Sequence, residues 1–303
     1  MTAFRNKEYA MSSILLSLAF VLAAPADKPS SGYAKPELLV EAPDLMKLPT
    51  KRMIRVLDAR GRGKYLEGHA PGAVWIDAAA WAHAFAVGQD AAKWEQIIAP
   101  LGIFSNDTIV IYDDNQSKDA ARIWYILRYW GFDDVRLLNG GWKAWQATGA
   151  ESQKDTPAVQ PTKDLKLKPE PERLATKAQL LELLKSKPPQ IVDARSEGEF
   201  CGTEETAKRN GSIPGAAHVE WSDTLDAKTG RFKSADELGK LFEKAGVDPS
   251  KPAVTYCQSG GRAAVLAFAL ELMGGKDVRN YYRSWSEWGN DPATPIVKPK
   301  PEK

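Results

Sequence analysis

Residues 54–60 read Ile-Arg-Val-Leu-Asp-Ala-Arg, and residues 190–195 read Gln-Ile-Val-Asp-Ala-Arg. Each is a short apolar run, the pattern of a buried strand, closed by the same three residues. The likeness continues in order along the chain. Gly68-His-Ala-Pro-Gly-Ala73 returns as Gly211-Ser-Ile-Pro-Gly-Ala216, and Thr108-Ile-Val-Ile-Tyr112 returns as Pro252-Ala-Val-Thr-Tyr256. Asp134-Val-Arg136, followed by Trp142 and Trp145, returns as Asp277-Val-Arg279, followed by Trp285 and Trp288. Four blocks in one order mark a duplication. Helical patterns such as 120–130 and 263–273 alternate with the strands. The predicted class is therefore α/β, with two tandem domains, each a parallel sheet with helices on both faces. The expected boundaries are residues 36–150 and 173–295, joined by a linker at 151–172 rich in Pro, Lys, Asp and Gln.

Composition narrows the function. The chain has 303 residues, 43% of them apolar, which suits two domains with real cores. With 41 basic and 39 acidic side chains the net charge is +2, and no dense basic block offers a nucleic-acid footprint. Two cysteines and three histidines supply neither a disulfide framework nor a Cys/His zinc site, so no metal is expected. At the amino terminus, Arg5 and Lys7 precede an apolar run from Ile14 to Ala24 and the small residues Ala24-Pro25-Ala26. Residues 1–26 read as a signal peptide, which predicts a periplasmic or secreted protein with no membrane attachment once the leader is removed. Residues 27–35, with Pro, Ser and Gly, read as a flexible lead-in.

In open parallel sheets, ligands bind at the carboxyl ends of strands, where a loop meets the next helix. That rule selects residues 113–119 in the first copy and 257–262 in the second. Cys257-Gln-Ser-Gly-Gly-Arg262 follows a strand pattern and precedes an apolar helix. The thiol there sits over a helix amino terminus, and the two glycines let backbone N–H groups turn inward as an anion-binding nest. Both effects, with the charge of Arg262, favour thiolate over thiol.

These residues, with Asn139-Gly-Gly-Trp142 and Ser284-Trp-Ser-Glu-Trp288, resemble the tandem-domain rhodaneses, a family of sulfurtransferases. The resemblance runs from about Pro36 to Pro292. It implies that a silent first domain supports a catalytic second one, and Asp113 does stand where Cys257 stands in the second copy. The first loop is also one residue longer: Asp113 to Ala120 is seven steps, Cys257 to Ala263 six. A carboxylate cannot carry sulfane sulfur. The resemblance further implies that Cys257 attacks the outer sulfur of a donor and holds it as a persulfide for a thiophilic acceptor, cyanide or a thiol. Gln258, Ser259, Gly260, Gly261 and Arg262 would cradle that persulfide, and Arg195 would bind the anionic group of the donor. No organic cofactor is called for, the partners are small molecules, and the chain is read as a monomer.

Two other enzyme readings and a binding role compete with this one. Tyrosine-type phosphatases place five residues between Cys and Arg, whereas this loop places four, a ring suited to one added sulfur atom. A non-catalytic binding module predicts loss of the nucleophile, and Cys257 is present. Between donors, Arg262 and Arg195 suit thiosulfate, a dianion, while Ser259 matches the 3-mercaptopyruvate enzymes, with His69 and Asp58 near that group's proposed relay. Thiosulfate is the expected donor. His69 reads as a structural histidine of the Pro-Gly turn, and Cys201 as a passive thiol. The paired tryptophans read as packing, and Trp221 or Tyr256 as an aromatic wall of the site mouth.

Overall fold

A computed structural model describes residues 32–48, 53–185 and 189–301, together with Met1. Apart from Met1, the stretch read as a leader lies outside the described residues, as do residues 27–31 of the lead-in. Strands β1 (Leu39–Val40), β2 (Ile54–Asp58), β3 (Val74–Trp75), β4 (Thr108–Tyr112) and β5 (Val135–Leu138) form one sheet in the order β1-β5-β4-β2-β3. Strands β6 (Gln190–Asp193), β7 (Ala217–His218), β8 (Ala253–Tyr256) and β9 (Val278–Asn280) form a second, ordered β7-β6-β8-β9. Every strand pair in both sheets is parallel. The register repeats as well: Asp58 lies opposite Tyr112, and Asp193 opposite Tyr256.

Helices α1 (Arg62–Glu67), α2 (Ala78–Val87), α3 (Ala91–Ile98), α4 (Lys118–Tyr129) and α5 (Gly141–Ala147) belong to the first domain. Helices α6 (Lys177–Leu183), α7 (Glu197–Cys201), α8 (Ala235–Lys244), α9 (Gly261–Leu272) and α10 (Ser284–Trp288) belong to the second. Strand β4 shows why both sheet faces are covered. Its five residues are all buried, with Ile109 and Ile111 packed among the side chains of α2, α3 and α4, and Val110 and Tyr112 packed with Leu45 and Trp145 on the other face. A strand apolar on both sides needs a layer on each.

The two domains are not separate bodies. One apolar core runs through both, carried by α4 against α9, with Trp124 and Phe268 edge to face at 4.9 Å and Phe85 against Tyr282 at 4.8 Å. Helix α9 is apolar almost all round because it is covered by its own sheet on one side and the first domain on the other.

Two segments that looked loose are tied down. In the linker, Gln153 exchanges backbone hydrogen bonds with His69, the Thr162 hydroxyl donates to Ile103 O at 2.7 Å, and Glu170 N donates to Tyr129 O at 2.7 Å. Leu165 is buried beside Trp130 in the core, so the segment lies along the first domain. At the end of the lead-in, the Tyr33 hydroxyl donates to Lys233 O at 2.6 Å, and Lys35 donates from its backbone to Leu272 O and from Nζ to Gly275 O. The chain thus touches the second domain before it builds the first. The Pro/Ser/Gly content hid this, because one half-buried aromatic anchors residues 32–35. The second domain also continues to Val297, which pairs with Ser212 beyond the expected end at 295. Among the described residues, no helix is long and apolar enough to cross a membrane.

Candidate active site

Each central strand ends in a tyrosine, and the loop after it carries the residue that distinguishes the copies. After β8, Cys257 lies under the loop at 1% exposure. Neighbouring segments clamp the backbone around it. Cys257 N donates to the Ser284 hydroxyl at 3.0 Å, Trp285 N to Cys257 O at 3.0 Å, and Ser286 N to Gln258 O at 3.0 Å. Gln258 Nε2 donates to Thr206 O and Asn280 Nδ2 to Gly260 O, both at 3.0 Å. Gly260 has φ +83°, and a β-carbon there would meet the Tyr282 ring at 2.6 Å, so both conformation and space exclude a side chain. With the loop held this way, the N–H groups of residues 259–263 donate to no protein acceptor among the described residues.

The loop after β4 shows what such N–H groups receive. The Asp113 carboxylate accepts from Asn115 N at 3.0 Å, Ser117 N at 2.9 Å, Asp119 N at 2.8 Å and Ala120 N at 2.9 Å. Burial pushes its pKa up to about 6, against the lowering pull of these donors. The extra residue is accommodated by left-handed backbone at Gln116 and Ser117, with φ of 53° and 60°. In this copy the nest already contains an anion, supplied by the chain itself.

Arg262 and Arg195 are placed differently from one another. The guanidinium of Arg262 grips Glu199 through two hydrogen bonds, at 2.5 and 2.8 Å, and its pKa is raised, against burial, by those bonds and by the neighbouring Cys257 and Glu199. Glu199 is positioned by a capping box: Ser196 starts α7, and the Glu199 carboxylate reaches back to it. Burial raises the Glu199 pKa, but the hydrogen bonds and charge of Arg262 outweigh burial and hold it below the usual carboxylate range.

Arg195 is fully buried. Its Nε and Nη2 bind Asp193 at 2.9 and 2.6 Å, Nη2 also donates to Gly211 O at 2.7 Å, and the Trp285 ring lies 4.3 Å from the guanidinium carbon. Arg60 makes the same set in the first copy, to Asp58 at 3.0 and 2.6 Å and to Gly68 O at 2.7 Å, with Trp142 at 3.9 Å. Arg195 is thus a strut of the repeated scaffold, and its buried Nη1 has no hydrogen-bond partner among the described residues, which leaves one N–H group for the expected role in binding the donor.

Tyr256 is buried against Asp193 and Trp285, so it does not line a mouth, and Trp221 is half-buried beside the core. His69 is buried, stacked on Tyr65 at 3.9 Å with Nδ1 2.9 Å from Tyr65 O, a structural position within the first domain. Trp285 and Trp142 pack on the buried arginines. Cys201, at the end of α7, is a buried free thiol whose pKa burial pushes up, and it is not bonded to Cys257. Among the described residues, no cluster of His, Cys, Asp and Glu could hold a metal ion. The sequence reading missed Tyr282, which packs on Gly260, and Arg122 of α4, which packs on Gly261. Neither lies in a repeated motif, and each reaches the loop from another segment.

Comparison with known proteins bears on this site. The rhodanese-like domain family matches residues 41–148 and 176–291. A thiosulfate sulfurtransferase of Corynebacterium glutamicum is 35% identical over 288 residues, covering 87% of this chain and 91% of that one. The sulfur carrier protein TtuD of Thermus thermophilus is 34% identical over 285 residues, covering 88% of this chain and 99% of that one. Among solved structures, EanB in a cysteine-persulfide tetrahedral intermediate state with ergothioneine superimposes with a TM-score of 0.80 and 25% identity, covering 89% of this chain and 72% of that one.

Proposed function

The chain belongs to the rhodanese-like domain family and is a sulfurtransferase, and from that premise we propose that it moves sulfane sulfur from thiosulfate to cyanide or a thiol through a persulfide on Cys257. The observation that carries the reading is the pair of loops. One holds the Asp113 carboxylate on four backbone N–H groups, and the equivalent N–H groups around Cys257 are available for an anion made during reaction.

The chemistry follows. The Cys257 thiolate attacks the outer sulfur of thiosulfate, a new S–S bond forms, the old one breaks, and sulfite leaves with its electron pair. The persulfide anion that remains is stabilised by inward N–H groups of Gln258 to Arg262 and by the nearby charge of Arg262. Cyanide then attacks the terminal sulfur, thiocyanate departs, and the thiolate is restored. Each step balances without a metal ion or an organic cofactor, and two successive steps give ping-pong kinetics. The names of the relatives support the donor and the carrier role. The first domain serves as a catalytically silent support.

Cyanide-dependent thiocyanate release by the purified protein tests the proposal. Cys257→Ser should lower it at least about 10³-fold, since removing a covalent nucleophile removes both steps. Full activity in that variant would sink the mechanism. We further propose that the chain is exported through residues 1–26 and works as a monomer in the periplasm or outside the cell. Full-length protein confined to the cytosol, or a dimer mass in solution, would refute these two points.

A further inference from the structure

A dianionic donor needs cationic partners, and the two arginines that the sequence offers already have carboxylate partners, Arg195 in Asp193 and Arg262 in Glu199, with Nη1 of Arg195 left without a partner. A third comes from the other domain. Arg122, near the start of α4, crosses the interface and lays its guanidinium against Gly261 of the cysteine loop. A β-carbon built on Gly261 would lie 2.2 Å from Arg122 Nη2 and 2.9 Å from its Nε. Gly261 does not have the left-handed backbone that favours glycine, so the reason for glycine here is the space that Arg122 occupies.

The surroundings of this guanidinium are unusual for a structural arginine. Its one hydrogen bond is long, Nη1 to the Tyr282 hydroxyl at 3.4 Å, and its Nε is buried with no partner. Among the described residues it has no carboxylate within ion-pair distance, unlike Arg60, Arg195 and Arg262. Burial raises the pKa of the Tyr282 phenol, Arg122 lowers it and Cys257 raises it, and the ring that carries it packs on Gly260 of the cysteine loop. Arg122 also lines a cleft of about 670 Å³, together with Arg62, Trp75 and Lys118 of the first domain. The acids there are engaged elsewhere: Asp77 caps α2 through Ala80 N, and Asp119 accepts from Asn115 Nδ2.

We propose that Arg122, carried by the silent copy, is a donor-binding residue of the active site. Its guanidinium takes the sulfonate oxygens of the donor while the outer sulfur faces Cys257, and the cleft beside it is the approach for the anion. The fork of N–H donors suits an oxyanion better than a point charge does. This rests on the reading that Cys257 accepts sulfur. It gives the first domain a part in chemistry that its own Asp113 loop cannot perform.

The test separates the two half-reactions. In Arg122→Gln, the thiosulfate KM for loading Cys257 should rise roughly tenfold or more, the scale of one charged hydrogen bond. Discharge of a preformed persulfide by a neutral thiol such as dithiothreitol should stay within about twofold, which a general disturbance of the loop would not allow. Arg122→Lys, which keeps the charge but loses the fork, should fall between and provides the measurement should the Gln variant not fold. An unchanged thiosulfate KM in either folded variant, or an equal loss in both half-reactions, overturns the assignment of Arg122. Wild-type protein that gains no sulfur on Cys257, read by mass, would instead overturn the sulfurtransferase mechanism beneath it.

Discussion

Tyr112 in the first domain and Tyr256 in the second do the same work. Each ends a central strand, accepts a backbone hydrogen bond from the Pro-Gly turn at 3.1 Å (from Ala70 N and Ile213 N), and pairs its hydroxyl with the aspartate of the neighbouring strand. That aspartate holds an arginine, and a tryptophan covers the arginine. One residue later the copies part: Asp113 fills its loop with a fixed carboxylate, and Cys257 leaves its loop for a transferable sulfur. The ion pair that braces each loop also changes sign. Lys64, six places after Asp58, reaches Asp114, whereas Glu199, six places after Asp193, holds Arg262. Residues identical in both copies are thus scaffold, and chemistry lies where the copies differ.

That rule can be broken most directly by exchange. Asp113→Cys in a Cys257→Ser background puts a thiol on the first loop, but the loop is one residue longer and its cation is on the wrong side. We expect sulfur transfer below about 1% of wild type, the scale of losing a positioned nucleophile. Activity near wild type would show that the second loop has no special geometry. Next in size is the strut. Arg60→Met and Arg195→Met each leave a buried aspartate without its partner and should cost about 3–5 kcal/mol apiece in urea unfolding. If Arg195 were a donor residue, its replacement would instead raise the thiosulfate KM with little loss of stability.

The strut was legible before the fold was known. Asp-Ala-Arg occurs in both copies, including the one with no nucleophile, and a motif kept in the silent copy marks framework rather than substrate binding. The duplication, the two loops and the place of Cys257 could be read because they depend on local pattern: strand, glycine turn, apolar helix. Arg122 and Tyr282 could not, because they meet the loop through packing of α4 on α9, and sequence spacing carries no record of which helices face each other. A signal remained in α9 itself, since a helix apolar all round must be covered on both sides. Pairing of Glu199 with Arg262 was hidden for the same reason, being a contact between α7 and the first turn of α9, far apart in the chain.

The smallest expected effect is the most specific to the second copy. Glu199 has a folded-state pKa below its ordinary value of 4.5, because Arg262 outweighs its burial. A carboxyl lowered on folding stabilises the protein fully above its unfolded value, and that contribution is lost as pH falls through the folded value. Urea unfolding of wild type should therefore show stability declining from about pH 5 downward, with a share due to this pair. Glu199→Gln keeps the shape and the link to Ser196 but removes the titrating charge, so the decline below pH 5 should be shallower than in wild type. Lys64→Met in the first copy is the matched control, since its exposed pair with Asp114 should contribute little. Equal slopes in Glu199→Gln and wild type would mean that the pair on the catalytic loop is no stronger than the exposed pair on the silent one, and the reversal of sign between the copies would then carry no energetic weight.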